Sequence, residues 1–400
     1  MLEFRRIGSV TVSNVDKKSV DGQLPVRLCN YTDVYYGDRI SPSEALMRAT
    51  ATPDQVQRCR LKTGDVVITK DSETADDIGV PAYIESEALD MVCGYHLAIL
   101  RPGPELHGRF LYWSVVSCPT KGHYFVNANG VTRVGLGQND IKSTPIPKWP
   151  FGEQQQIADF LDAETARIDS LVAEYERQVD LLEVDQSSTV DDSLADLRSA
   201  SPMKRLKFLT DESEDRLAEG QDVPELLSVS IHHGVVSRSS LTDKVPRADS
   251  LVDYKLVEPD QLVLNRMRAF QGGVGVAVHV GIVSPDYTVL RLSDELLPEF
   301  LNAVARSDWF VGEMTKRLRG IGNPGQGNTR TPRVNYSDLR EIKIPVPTIA
   351  QQRQFLKALD GTHDLLTSEL RSQIDHLTEY RQALITKAVT EGIDACQVTA

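Results

Sequence analysis

Two stretches of this 400-residue chain gather the side chains that could meet an anion. Residues 314–335, MTKRLRGIGNPGQGNTRTPRVN, carry Lys316, Arg317, Arg319, Arg330 and Arg333 and no acid. Glycines let the backbone approach a phosphate, and arginines can pair with phosphate or with a guanine edge. Residues 106–139 are also free of acids. They set Arg109, Lys121, His123 and Arg133 among Tyr112, Trp113, Tyr124 and Phe125, with Asn127 and Asn129. Asparagine suits adenine, and aromatic rings suit a sugar or a thymine methyl. The competing reading of either stretch is a surface loop with solvated charges. Their matching positions in the two halves of the chain favour DNA contact.

Other chemistry is incomplete. Gly320, Gly322 and Gly325 fit a dinucleotide glycine pattern, but they follow the helix-like EMTKRLR and enclose Pro324, where a strand–turn–helix is needed. No Walker A sequence occurs, and Asn323-Pro324 is followed by glycine, unlike the adenine-clamping loop of an amino-methyltransferase. His232-His233 lacks a nearby third ligand, and Pro285-Asp286 lacks the acid-x-Lys that would complete a nuclease motif. The carboxylates Asp71, Glu73, Asp76 and Asp77 could bind a metal, but a solvated turn or a patch facing a basic partner fits them better. No complete catalytic constellation emerges. The five cysteines form no Cys-x-x-Cys motif and offer no disulfide framework, which fits a reducing cytoplasm. There is no apolar run of 18 residues and no signal-peptide pattern in the first residues.

The elements that must carry these loops repeat. Asp140-Ile141-Lys142 and Ile146-Pro147 recur as Asp338-Leu339-Arg340 and Ile344-Pro345, 198 residues on. Gln154, Gln156, Leu161 and Asp162 recur at that offset as Gln352, Gln354, Leu359 and Asp360, and VVITK matches LVLNR at offset 196. A shared order over half the chain marks an internal tandem repeat. Each copy has about 145 residues with short β-like runs, then a proline-marked turn and a long helical stretch. In the first helix Leu161, Ile168, Tyr175 and Leu182 stand seven apart, with Ile157 and Leu171 on the neighbouring seam. In the second, Leu359 and Leu366 continue to Gln373 and Tyr380 beside Leu370, Leu377 and Leu384. Such heptads let helices supercoil. The alternative is an amphipathic helix lying on its own domain. The net charge of −13 is local: residues 1–149 hold 17 acids and 17 bases, whereas residues 150–200 hold 13 acids and 3 bases. Residues 187–201 read as an acidic linker.

Several blocks carry a family resemblance. TKDSETADDIGVPAYI, NRMRAFQGGVGV followed by GIVSPDY, and the helix starts PIPKWPFGEQQQIADFLD and IPVPTIAQQRQFLKALD resemble the specificity subunits of type I restriction–modification systems. YRQALITKAVTEGID is similar to that family's second conserved region. The resemblance covers nearly the whole chain and adds Arg266 and Arg268 to the candidate DNA contacts. It departs in two places. The first helix ends in EVDQSSTVDDSLADL where the second has RQALITKAVTEG, and neither FRRIGS nor MKRLKF has the usual Trp-containing lead.

The resemblance implies an α/β (α+β) fold with two target-recognition domains, at 1–147 and 201–345, each reading half of a split DNA site. Connectors at 148–200 and 346–400 would form an antiparallel coiled coil. Two modification subunits binding S-adenosylmethionine would dock on the helices. Motor-nuclease subunits using ATP and Mg would complete the complex, leaving this chain without a cofactor or catalytic site. The alternatives are a coiled-coil scaffold that reads no DNA, and a self-sufficient nuclease or methyltransferase.

Overall fold

The computed structural model describes residues 4–5, 7–43, 45–220, 222–231, 234–240, 251–317, 333–359 and 362–393. The chain divides into two compact units, one formed by Met1–Glu176 with Arg371–Ala400 and the other by Arg177–Leu370.

In the first unit five strands lie in the order Ser9–Val12, Leu97–Arg101, Val66–Thr69, Pro81–Ile84, Arg39–Ile40. Only the last pair is parallel. The central strand is apolar at consecutive positions because both of its faces are covered. Val66 and Ile68 face Phe110, Leu111 and Tyr124 on the helices Gly108–Val116 and Cys118–Asn127. Val67 faces the opposite cluster, with Leu28, Ile40 and Val92. Its neighbour alternates likewise, Ala98 and Leu100 to one side and Leu97 and Ile99 to the other. A second sheet of Met47–Ala51, Leu24–Cys29 and Met91–Cys93 walls that second cluster.

The second unit holds an antiparallel sheet in the order Thr210–Glu212, Tyr287–Leu292, Leu262–Asn265, Val274–Val276. Leu262 and Leu264 face Phe300, Leu301 and Phe310 on the helices Pro298–Arg306 and Asp308–Thr315. Val263 faces Val257, Val283 and Val289. In each unit a short antiparallel pair joins the start to the segment before the helical stretch. These pairs are Phe4–Arg5 with Ile146–Pro147, and Met203–Arg205 with Lys343–Pro345.

The helix Phe151–Ala200 corrects the acidic linker expected at 187–201, because its last turns run through Ala200. Apolar residues are sparse there but fall at helical spacing. Val190, Leu194 and Leu197 lie against the second unit's main cluster. Asp191 accepts the Trp309 N–H at 3.2 Å, and the Arg198 guanidinium sits 4.3 Å from the Trp309 ring centroid. Packing of one face sustains the helix where composition alone would not. The second helical stretch consists of Ile349–Ala358 and Thr362–Glu391.

The heptads are half in phase. Ile157, Leu161 and Ile168 are buried, and Tyr175 and Leu182 are half-buried. Leu171 is exposed, and the second seam runs one residue later through Thr165, Val172 and Val179. In Thr362–Glu391, Leu370, Leu377 and Leu384 are half-buried, and Leu359, which precedes this helix, packs against the second unit's cluster. Leu366, Gln373 and Tyr380 are exposed, and Ile374, Arg381 and Ala388 take the inner positions. Leu171 and Val172 are both apolar, so periodicity alone does not choose between them.

Candidate nucleic-acid interface

In the first unit the strand Val66–Thr69 runs out into Lys70, where several segments meet. The Lys70 N–H donates to the His96 carbonyl at 3.0 Å, and the Lys70 carbonyl accepts the Leu136 N–H at 2.8 Å. Val134–Gly135 pairs with Asp71–Ser72, and Asn129 and Gly135 exchange backbone bonds of 3.1 and 2.9 Å. The helix Tyr31–Tyr36 starts where the Asp33 carboxylate accepts the Asn30 N–H at 2.7 Å. It brings the Tyr35 hydroxyl 3.0 Å from both Asp77 carboxylate oxygens.

Asp71 sits at the centre of this junction. One of its oxygens accepts from Lys70 Nζ at 2.6 Å and lies 2.6 Å from His96 Nδ1. Burial pushes the Asp71 carboxyl up, but the hydrogen bonds from Lys70 and His96 outweigh it and hold the group below its ordinary range. His96 has φ 71°, the left-handed region that residues with a Cβ seldom adopt. Its ring centroid lies 3.7 Å from that of Tyr95, and Tyr31 stacks on Tyr35 at 5.6 Å. Burial raises the Tyr31 hydroxyl, and the bond to Asp77 raises that of Tyr35, so both remain protonated donors. Tyr36, Tyr95, Asn129, Val131 and Arg133 are exposed around the junction. Ammonium, guanidinium and hydroxyl donors suit phosphates and purine acceptors, and carboxylates suit the cytosine amino group.

The second unit builds the same frame. Leu262–Asn265 runs out into Arg266, whose carbonyl accepts the Val334 N–H at 2.9 Å. Strand register places Asn265 opposite Tyr287, as Thr69 is opposite Leu97, so Asp286 stands where His96 stands. The Arg266 guanidinium donates to Asn335 Oδ1, and Arg333 lies 3.7 Å from Asp286. A Cβ on Gly273 would lie 2.8 Å from the Arg268 carbonyl oxygen, which the Gly273 N–H meets at 2.9 Å, so the turn that presents exposed Arg268 requires glycine.

The residues proposed from sequence scatter around this geometry. Arg133 and Asn129 lie at the first junction, and Arg266, Arg268 and Arg333 at the second. Arg109 instead grips the long helix through Asp159 at 2.5 Å and Asp162 at 2.7 Å; Asp162 also accepts Trp113 Nε1–H at 2.8 Å and pairs with Arg39 at 3.1 Å. Tyr124 is a core residue that accepts a hydrogen bond from the Thr144 hydroxyl, which removes it from any DNA-facing surface. The apolar stretch that carries it fills the space beneath the sheet. Lys121 Nζ reaches Gln382 at 2.8 Å, and Asn127 folds back on the His123 carbonyl at 2.8 Å. Lys316 and Arg317 pair with Glu313 at 2.6 and 2.7 Å. Arg319 and Arg330 lie outside the described residues. Sequence reasoning missed Lys70, His96 and the tyrosines of NYTDVYYG. Tyr31 and Tyr35, one helical turn apart, were the available signal. Among the described residues no cluster of three or more His, Cys, Asp or Glu could hold a metal.

No family model matches the chain. The putative type I restriction enzyme MjaX specificity subunit of Methanocaldococcus jannaschii is 19% identical over 366 residues, covering 85% of this chain and 81% of that protein. A solved chain from a type I restriction–modification system covers 98% of both chains at 16% identity with a TM-score of 0.56. The HsdS subunit from Thermoanaerobacter tengcongensis aligns over 93% of this chain and 92% of its own at 18% identity, with a TM-score of 0.44. Along most of its length this chain is similar in sequence to a putative type I restriction enzyme specificity subunit, and it is similar in fold to a solved chain from a type I restriction–modification system.

Proposed function

We propose that this chain is the DNA-specificity subunit of a type I restriction–modification complex, and that each unit reads one half of a bipartite target in double-stranded DNA. The observation that carries the reading is the pair of strand-end junctions, built on one backbone frame and furnished with different side chains. Two readers on one frame, with different residues at the tip, suit two different half-sites. Base contacts then set the address, while phosphate contacts set affinity. An internal duplication, with target-recognition domains at 1–147 and 201–345, accounts for the repeated frame.

The connectors at 148–200 and 346–400 act as an antiparallel coiled coil that spaces the readers. Two contacts within the first unit support that direction: Asp169 pairs with Arg381 at 2.8 Å, and Trp149 Nε1–H donates to the Val389 carbonyl at 2.8 Å. Two modification subunits dock on these helices and supply S-adenosylmethionine, and motor-nuclease subunits supply ATP and Mg chemistry. The chain itself is not an enzyme. Among the described residues no helix is long and apolar enough to cross a membrane, and a role on chromosomal DNA places the complex in the cytoplasm.

Methylome sequencing of cells with and without the gene, with the partner modification subunits present, tests the reading. A split methylated motif that depends on the gene is expected. Methyl transfer by the purified chain alone would overturn the division of labour. Assembled complexes without salt-dependent, sequence-selective DNA binding would leave a scaffold.

A further inference from the structure

We propose that Lys70 and His96 read a purine edge in the first half-site and that Asp71 is the positioning residue that aims them; the inference rests on the DNA-reading function above. The comparison within the chain carries it. The frame is repeated closely: the Lys70 and Arg266 carbonyls accept from Leu136 and Val334 at 2.8 and 2.9 Å. The side chains on that frame differ. Lys70, Asp71 and His96 correspond to Arg266, Met267 and Asp286. The second unit holds its junction with no carboxylate after the basic residue and no imidazole across from it. The frame therefore does not require the Lys70–Asp71–His96 group.

The group is nevertheless built at some cost. Asp71, Lys70 and His96 keep side-chain exposures of 16%, 19% and 24%, and His96 holds a left-handed backbone. Strained residues persist where the surroundings impose them, and they concentrate at functional sites. One carboxylate oxygen fixes two donors from different strands. The Lys70 ammonium keeps hydrogens beyond the one given to Asp71, and no hydrogen bond from His96 Nε2 occurs among the described residues. Purine N7 accepts from an ammonium, and an imidazole nitrogen beside it meets the 6-position group. Exposed Tyr95, Tyr36 and Arg133 flank the pair, where backbone contacts would fall.

The test is methylome sequencing of cells carrying the modification subunits and Asp71→Asn, His96→Asn or Lys70→Arg. Asparagine tolerates the left-handed backbone at 96. Each variant is expected to relax one purine position of one half-site about tenfold, leaving the other half-site and the spacer unchanged. An unchanged motif, or an even loss of methylation over all sites with intact bases, overturns the proposal. Should Asp71→Asn fail to fold, as hydrogen exchange of the purified complex would reveal, the other two substitutions carry the test. A wild-type chain that yields no split motif defeats the DNA-reading function itself, which is a separate outcome.

Discussion

Gln154 and Gln352, 198 positions apart, make the same three backbone hydrogen bonds in their respective units. Gln154 Nε2 donates to the carbonyls of Glu105 at 3.0 Å and Trp149 at 2.8 Å, and its Oε1 accepts the His107 N–H at 2.8 Å. Gln352 Nε2 donates to Glu295 at 2.7 Å and Pro347 at 3.0 Å, and its Oε1 accepts the Leu297 N–H at 2.8 Å. Both side chains are fully buried. Each clamps the loop before a core helix, Gly108–Val116 or Pro298–Arg306, to the first turn of a helical stretch, Phe151–Ala200 or Ile349–Ala358.

Gln154→Ala should therefore destabilise the first unit by about 2–4 kcal/mol, because three buried backbone groups lose their partner. Hydrogen exchange resolved by segment is the measurement. Protection should fall around 105–161 and stay unchanged in 262–292. Gln352→Ala should show the reverse.

Tyr124 and Gly79 form a packing pair whose loss should leave DNA reading intact. A Cβ on Gly79 would lie 2.3 Å from the Tyr124 ring, and Gly79 has φ 77°. Gly79→Ala should cost more than about 1 kcal/mol from strain alone. Tyr124→Phe should cost about 1 kcal/mol, the value of one buried hydrogen bond. Denaturant melts measure both, and the methylated motif should not change with Tyr124→Phe.

Asp162 gathers Arg39, Arg109 and the Trp113 indole, so its removal strands the buried Trp113 N–H, while Arg39 keeps Glu85 and Arg109 keeps Asp159. Asp162→Ala should lower stability by about 1–3 kcal/mol. Double-mutant cycles with Arg109→Ala should show coupling, since the two share partners.

The Asp71 cluster should loosen only in acid. Its carboxyl is held below the ordinary value, so its contribution is fully present above the unfolded-state pKa and is lost as pH falls through the lower folded one. Carbon-13 titration of the Asp71 carboxyl should give a midpoint below the unfolded aspartate value of about 3.9. Asp71→Asn should remove that acid-side slope from the stability profile.

Exposed Arg133 and Arg268 separate backbone contacts from base contacts. A phosphate contact replaced by alanine should weaken all sequences evenly and reduce the salt slope by about 1. A base contact should cost about 1–3 kcal/mol at one position only. Binding of the assembled complex over a salt series distinguishes the two.

The central strands VVIT and LVLN were legible in the sequence because burial on both faces forces continuous apolar runs. The 198-residue spacing of Gln154 and Gln352 was legible in the sequence, and the two glutamines make equivalent clamps. The helix seam was only half legible: Leu171 and Val172 are both apolar, and packing chose Val172. Within residues 106–139, Tyr124 and Trp113 misled, because aromatic residues in an acid-free stretch can line a core as well as face DNA. The junction at Asp71 joins residues 31–36, 70–77, 95–96 and 129–135, which strand pairing and the Tyr35–Asp77 hydrogen bond bring together from distant parts of the sequence.

The makeup of the first unit sets an order of events during synthesis. Ile385, Ala388 and Val389 complete its core against Ile157, Ala158 and Leu161, and Gly392 lies under the Trp149 ring. Those residues leave the ribosome only after the whole of Arg177–Leu370 has been made, a delay of about 10–40 s at typical elongation rates. The unit nearer the N-terminus is thus finished last, and its apolar helix face waits uncovered while the later, contiguous unit closes. Nonsense mutations between residues 371 and 385 should therefore leave the N-terminal unit, not the contiguous one, dependent on chaperones.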